Sequence, residues 1–164
     1  MNTLSDIGSK KLMIPKHKEK LVLTFNKAAP EDINFLLELR KLSMTEHLLA
    51  AGLDYDDEQH KARILEYYND TYLLNLADKA IGVVKLGQMA DRWHIRQFQI
   101  LPDYHGKGVG TKVLSLLQSK AQSVNMPITL NVLYQNPARR LYERMGFKVI
   151  GENGLEYQMK WSLQ

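Results

Sequence analysis

The feature that most constrains this chain is the run His105-Gly106-Lys107-Gly108-Val109-Gly110-Thr111, where three glycines alternate with other residues. Glycine has no Cβ, so consecutive backbone N–H groups can turn toward one point, and such a point suits an anion. Upstream, in the stretch that opens at Trp93, residues 95–101 mix β-branched, aromatic and polar side chains without a helical stripe and stop at Pro102-Asp103, which reads as a strand. Downstream, Val109, Val113, Leu114, Leu117, Ala121 and Val124 recur at spacings of three and four. The loop therefore opens an amphipathic helix whose N-terminal dipole also favours phosphate.

Spacing separates the glycine-loop families. A nucleoside-triphosphate loop requires G-x-x-x-x-G-K-[ST], but Gly110 is followed by Thr111-Lys112 in the reverse order. A dinucleotide fingerprint requires G-x-G-x-x-G, whereas Gly106, Gly108 and Gly110 are spaced two and two. The pattern that fits is Q/R-x-x-G-x-G/A, with His105 in the first place and Gly108 and Gly110 in the glycine places. About 30 residues further on, Asn136-Pro137-Ala138-Arg139-Arg140-Leu141-Tyr142-Glu143-Arg144-Met145-Gly146-Phe147 fits N-x-A-x-x-L-Y-x-x-x-G-F. On these two segments, in this order, the chain resembles the GNAT superfamily of acetyl-CoA-dependent N-acetyltransferases.

Composition narrows the chemistry. The 164 residues suit one domain with a sizeable core. There is no cysteine, so disulfides, thiolate metal sites and a cysteine nucleophile are excluded, and any thiol must come from a cofactor. No apolar run approaches the roughly 20 residues of a membrane span, and the first residues lack the apolar core of a signal peptide; a cytoplasmic protein is expected. The net charge is +4, yet residues 1–20 hold five lysines against Asp6 and Glu19, so the remainder is close to neutral. That distribution argues against a nucleic-acid surface.

Residues 1–20 read as a basic arm without periodicity, and residues 21–164 as the folded domain. A strand over 21–27 leads to a helix with Pro30 at its first position and Ile33, Leu36, Leu37, Leu39 and Leu42 on its buried face. Asp54 is the expected cap of a second helix running to about Tyr68, with Ile64, Leu65 and Tyr68 on its inner side. Strands over 72–76 and 81–86 form a hairpin through Asp78-Lys79, and Gly87 reads as a bulge. The glycine-loop unit follows, then a strand over 128–134. A short helix comes next, with Asn136 as cap, Pro137 at N1 and Gly146 at C′, and strands over 147–150 and 156–161 end the chain. This order matches the GNAT arrangement. It implies an α/β (α+β) single domain: a mixed, mostly antiparallel twisted sheet of about seven strands flanked by about four helices.

The resemblance also implies roles. Backbone N–H groups of Gly106, Lys107, Gly108, Val109, Gly110 and Thr111 would receive the CoA pyrophosphate, with His105 and Lys107 at the rim, and the main chain of Phe98, Gln99 and Ile100 would pair with the pantetheine arm as an added strand. By periodicity Tyr142, with Ala138, Leu141 and Met145, is a core tyrosine. By resemblance it faces the CoA sulfur as general acid to the departing thiolate. Asn136 is the helix cap by local reasoning and a pantetheine contact by resemblance. Arg139 lies off the stripe, directed at a CoA phosphate or at solvent.

The base is less defined. His94 occupies the place early in the fourth strand where some members carry a glutamate or histidine, as base or water-holder, and the position of a fifth-strand glutamate in others is here Asn131. Arg40 falls where the inner stripe of the first helix should stay apolar. A charge there asks for a partner. Because the segment between the first two helices borders the acceptor site in GNAT folds, the resemblance implies Arg40 and His47 as substrate-contact candidates, against a buried salt bridge or an exposed helix end. The expected partner is an amine-bearing acceptor, with no metal, nucleic acid or membrane, and a homodimer is left open. The alternative from another class is an inactive CoA or acetyl-CoA-binding module or sensor.

Overall fold

The computed structural model describes Leu4, the backbone of residues 10–14 and 19–20, and residues 21–164 in full. Among the described residues eight strands form one sheet: β1 (Lys10–Ile14), β2 (Glu19–Lys27), β3 (Thr71–Leu76), β4 (Lys79–Gln88), β5 (Trp93–Ile100), β6 (Ile128–Leu133), β7 (Lys148–Asn153) and β8 (Glu156–Trp161). Their spatial order is β1-β2-β3-β4-β5-β6-β8-β7. All neighbours are antiparallel except β5 and β6. The α helices are α1 (Ile33–Ala50), α2 (Asp57–Leu65), α3 (Val109–Ser123) and α4 (Ala138–Arg144). This is the expected mixed single-domain α/β architecture with one strand more, since β1 falls in the stretch where the sequence offers no periodicity. Among the described residues no helix is long and apolar enough to cross a membrane.

The helices cover both faces. On one, Val113, Leu114, Leu117 and Ala121 of α3 belong to the larger core with Ile81, Val84, Trp93, Ile128 and Met159 of the sheet. On the other, Leu36 and Leu39 of α1 and Ile64 of α2 cover Leu73 and Val83. The single parallel pair has a topological cause, because α3 must carry the chain across the sheet before β6 can lie beside β5 in the same direction.

Several boundaries move, each for a local reason. α2 is capped by Asp56 and not Asp54: the Asp56 carboxylate accepts from the Gln59 amide and the Gln59 side chain accepts from the Asp56 amide, both at 2.8 Å. Leu42 and Leu65, expected on inner faces, are exposed. The β3–β4 hairpin turns on Ala77-Asp78, with φ of 49° and 68°, one residue before the expected pair. The bulge is not at Gly87, which pairs regularly with His94; Lys85 pairs with Gln97 and Leu86 with Ile95, so Arg96 on β5 is the extra residue. Gly87 instead makes room, since a Cβ there would come within 2.7 Å of the Arg96 guanidinium.

Candidate active site

The site begins where the parallel pair fails. β5 and β6 are paired only at Trp93/Ile128, His94/Thr129 and Ile95/Leu130. Beyond Ile95, β5 pairs only with β4, and beyond Leu130, β6 pairs only with β8. The split follows the Arg96 bulge, which bends its strand and resets the alternation, so that Phe98 and Ile100 join the same core as Ile95. Of the backbone polar groups of residues 98–100 on the β6 side, the Ile100 carbonyl is taken by His105, and the others are left without a strand partner where an extended ligand could lie.

Two clefts open from this split. The first, about 490 Å³, is lined by Phe98, Gln99 and Ile100, by His105, Gly106, Gly108, Val109, Gly110 and Thr111, and by Asn136, Leu141 and Tyr142. The first amide of α3 bonded within the helix is that of Lys112, to the Gly108 carbonyl at 3.0 Å, so the N–H groups of Val109, Gly110 and Thr111 have no intrahelical acceptor. Gly106 and Gly108 sit at φ of 70° and 80° with nothing near a notional Cβ; there glycine answers a backbone conformation. Gly110 has another cause. A Cβ there would meet Leu141 at 2.9 Å, so its absence lets α4 approach α3. His105 donates through Nε2 to the Ile100 carbonyl at 2.6 Å and braces the loop against β5.

The second cleft, about 470 Å³, lies over the opposite face of the split, and its charged wall is Arg40, Arg63, Glu66, Lys85, Arg96 and Glu156. Met44, Phe98, Gln99, Asn136 and Tyr142 line both clefts. Tyr142 is buried at that junction, its ring edge-on to Phe147. Burial pushes its hydroxyl well above the usual phenol range. Among the described residues that hydroxyl has no hydrogen-bond partner.

Charge in the second cleft is unevenly compensated. Lys85, almost fully buried, donates to the carbonyls of Arg63, Ile64 and Glu66 at 3.1, 2.9 and 2.5 Å, closing the C-terminal end of α2. Burial first, and then Arg40, lower its pKa to about 8. Arg96 lies 3.5 Å from the Tyr67 ring centre and 3.4 Å from the Asp70 carboxylate. Arg63 is 3.4 Å from Glu66. Arg40 donates through Nε to His60 Nδ1 at 3.2 Å; burial, then Arg63, bring its pKa down to about 10. Burial raises the Glu156 carboxyl. His94 borders this cleft 2.7 Å from the Thr129 hydroxyl, and burial, Arg96 and Arg92 together favour its neutral form.

The structure thus gathers most of the candidate residues into two groups and relocates three. Arg139 is bound to Glu143 at 2.5 Å, lies over the Tyr157 ring and does not line the glycine-loop cleft; Arg144 from the same helix does. Lys107 points its ammonium toward the Tyr104 ring, 5.7 Å away, and likewise stands off that cleft. His47 lines the glycine-loop cleft and not the second one. Asn136 does cap α4, accepting from the Ala138 amide at 2.9 Å, while also bordering both clefts. Lys85, Arg63 and Glu156 escape sequence reasoning. Only Lys85 leaves a signal, as the one charge inside the apolar run over 81–86.

Sequence comparison matches residues 44–162 to the acetyltransferase (GNAT) domain family. The chain belongs to the GNAT acetyltransferases. No curated protein matches it in sequence. Among solved structures it is similar to the PaiA N-acetyltransferase of Thermoplasma acidophilum in complex with coenzyme A, at 20% identity and TM-score 0.69, over 85% of this chain and 98% of that one. It is also similar to Arabidopsis thaliana Naa50 in complex with the bisubstrate analogue CoA-Ac-MVNAL, at 19% identity and TM-score 0.61, over 86% and 99% of the two chains. At these identities the likeness is one of fold. Family membership makes this protein a GNAT acyltransferase.

Proposed function

We propose that this GNAT protein is an N-acetyltransferase that moves the acetyl group of acetyl-CoA to a primary amine by direct attack, with Tyr142 as general acid. The observation that carries the reading is the position of Tyr142: buried where the two clefts meet, with a hydroxyl that has no partner among the described residues. The α3 N-terminus and the unpaired edge of residues 98–100 suit a pyrophosphate followed by an extended arm. In the fit this implies, Gly106 to Thr111 hold the phosphates and Phe98 to Ile100 hold the arm.

The amine nitrogen attacks the acetyl carbonyl carbon, the carbon–sulfur bond breaks, and Tyr142 supplies a hydrogen bond, then a proton, to the leaving sulfur. A cysteine-like thiol has a pKa of about 8.5 against about 10 for an ordinary tyrosine, so full transfer is uphill by about 2 kcal/mol. Burial raises the Tyr142 hydroxyl further, but a thiolate in the same cleft is destabilised by the same loss of water. Tyr142 therefore acts chiefly as a donor whose bond strengthens as charge grows on sulfur. His94, neutral at pH 7, and Glu156 are the groups facing the acceptor side that can take the amine proton.

The test is release of free CoA thiol from acetyl-CoA in the presence of a panel of amines, with acetyl-CoA binding followed by calorimetry. Binding with release supports the enzyme. Binding without release from any amine would favour a CoA-binding module instead.

A further inference from the structure

The second cleft carries more positive charge than its own carboxylates balance. Four of its wall residues are cationic, and among the described residues only two have a carboxylate within salt-bridge distance, Arg63 with Glu66 and Arg96 with Asp70. Lys85 has its three donors fully used by carbonyls at the end of α2, where the helix dipole is negative, so its charge has a structural explanation.

Arg40 has none. Its Nε is held by His60, itself buried, and this fixes the plane of the guanidinium. The two terminal nitrogens have no acceptor among the described residues and are not sealed from the cleft. A preorganised guanidinium with both terminal nitrogens free matches the two oxygens of a carboxylate. The like charges beneath it also raise the cost of leaving the cleft without an anion.

We infer that the acceptor is a small amine that also carries a carboxylate, and that Arg40, clasped by His60, receives that carboxylate in the second cleft. This rests on the acetyltransferase reading and narrows it. The volume, about 470 Å³, suits a small molecule. The same positive wall disfavours an acceptor with several ammonium groups, and it favours the neutral form of the attacking amine once the carboxylate is seated.

Two arms test the inference. In the first, the CoA-saturated protein is titrated with glutarate and with glutaramide, which differ in charge and little in shape. Glutarate should bind at least about tenfold more tightly, the ratio expected of one charge-assisted contact, and the gap should narrow as salt is raised. In the second arm, kcat/KM is compared for glutamate against glutamine, alanine against alaninamide, and spermidine. The member with the additional carboxylate, on the side chain in the first pair and on the α-carbon in the second, should lead in at least one pair. Arg40→Gln should erase both preferences and Arg40→Lys should keep part of them, with retained acetyl-CoA binding showing that each variant is folded. Equal binding of glutarate and glutaramide, a lead for spermidine, or a preference that survives Arg40→Gln would overturn the assignment. Because the glutarate arm needs no turnover, its failure is distinct from failure of acetyl-CoA to bind, which would strike the acetyltransferase reading itself.

Discussion

The two clefts share Tyr142, Met44, Phe98, Gln99 and Asn136, yet they are built on different principles. The glycine-loop cleft is made of backbone: the unbonded amides at the start of α3 and the open edge of β5, with side chains mostly filling space around them. The second cleft is made of charged side chains delivered by α1, α2, β4, β5 and β8. Backbone recognition suits a ligand whose shape is constant, whereas side chains can be changed one at a time. One chain can thus keep its acyl donor while its acceptor varies.

Four substitutions, two of them with a comparison variant, test that division, and the largest effect is expected where the clefts meet. Tyr142→Phe keeps the ring against Phe147 and removes only the hydroxyl. Turnover should fall by about 10² to 10⁴, while acetyl-CoA affinity measured by calorimetry stays nearly unchanged, because the contact is made chiefly in the transition state. A folded variant with wild-type turnover would return Tyr142 to the core.

Next is the backbone cleft alone. Gly108→Glu places a carboxylate at the phosphate point and forces a non-glycine residue into φ of 80°, costing about 1–2 kcal/mol of strain before any repulsion. Acetyl-CoA affinity should drop by about tenfold or more. Gly108→Ala carries the strain without the charge, so a larger loss with Glu isolates the anion; equal affinities for both variants and wild type would remove the loop from the site.

On the side-chain cleft, Lys85→Met leaves three carbonyls at the end of α2 without their donor and should lower unfolding free energy in urea by about 1–3 kcal/mol. The pH dependence has a definite sign. Lys85 has a folded pKa of about 8 against 10.5 for the free side chain. Between those values the unfolded chain holds more protons, so wild-type stability gains from this group as pH rises through that window. Lys85→Met should lose that gain, and an unchanged profile would contradict the burial.

The smallest effect concerns His94. Its pKa lies below 6.5, so below that value the unfolded chain binds protons more readily and the residue's contribution to stability declines with falling pH. If the imidazole takes the amine proton, kcat/KM should show an acid limb in the same range. His94→Ala should remove the limb and cost several-fold near neutrality, and Glu156→Gln serves as the comparison. A uniform loss at every pH would make His94 structural.

The same contrast explains what was legible in the sequence. Gly106 to Thr111 and Asn136 to Phe147 are contiguous segments whose spacing encodes a turn, a helix start and a cap, so the backbone cleft could be read before any fold was known. Arg40, Arg63, Lys85 and Glu156 lie on four separate elements, and only the strand order β4-β5-β6-β8 with α1 and α2 across one face brings them together. The bulge went to Gly87 because glycine is a local signal, whereas a bulge is a property of two paired strands and here belongs to Arg96. Arg139, which the sequence left directed at a phosphate or at solvent, meets Glu143 four residues on in its own helix, a local partner that the spacing of the two residues already offered.

The split between β5 and β6 after three paired residues has a consequence for the lifetime of the protein. An extended arm laid in that gap bonds where a neighbouring strand would, so occupancy enters the folding equilibrium as well as the reaction. Free ligand at about a hundred times its dissociation constant adds about 2.7 kcal/mol to stability by mass action. The amide protons of Phe98 and Ile100, which alternate away from β4, then become the reporters, exchanging slowly when the gap is filled and readily when it is empty. Where the acyl donor of the proposed reaction is what fills the gap, persistence of the fold and supply of that donor become readings of one equilibrium.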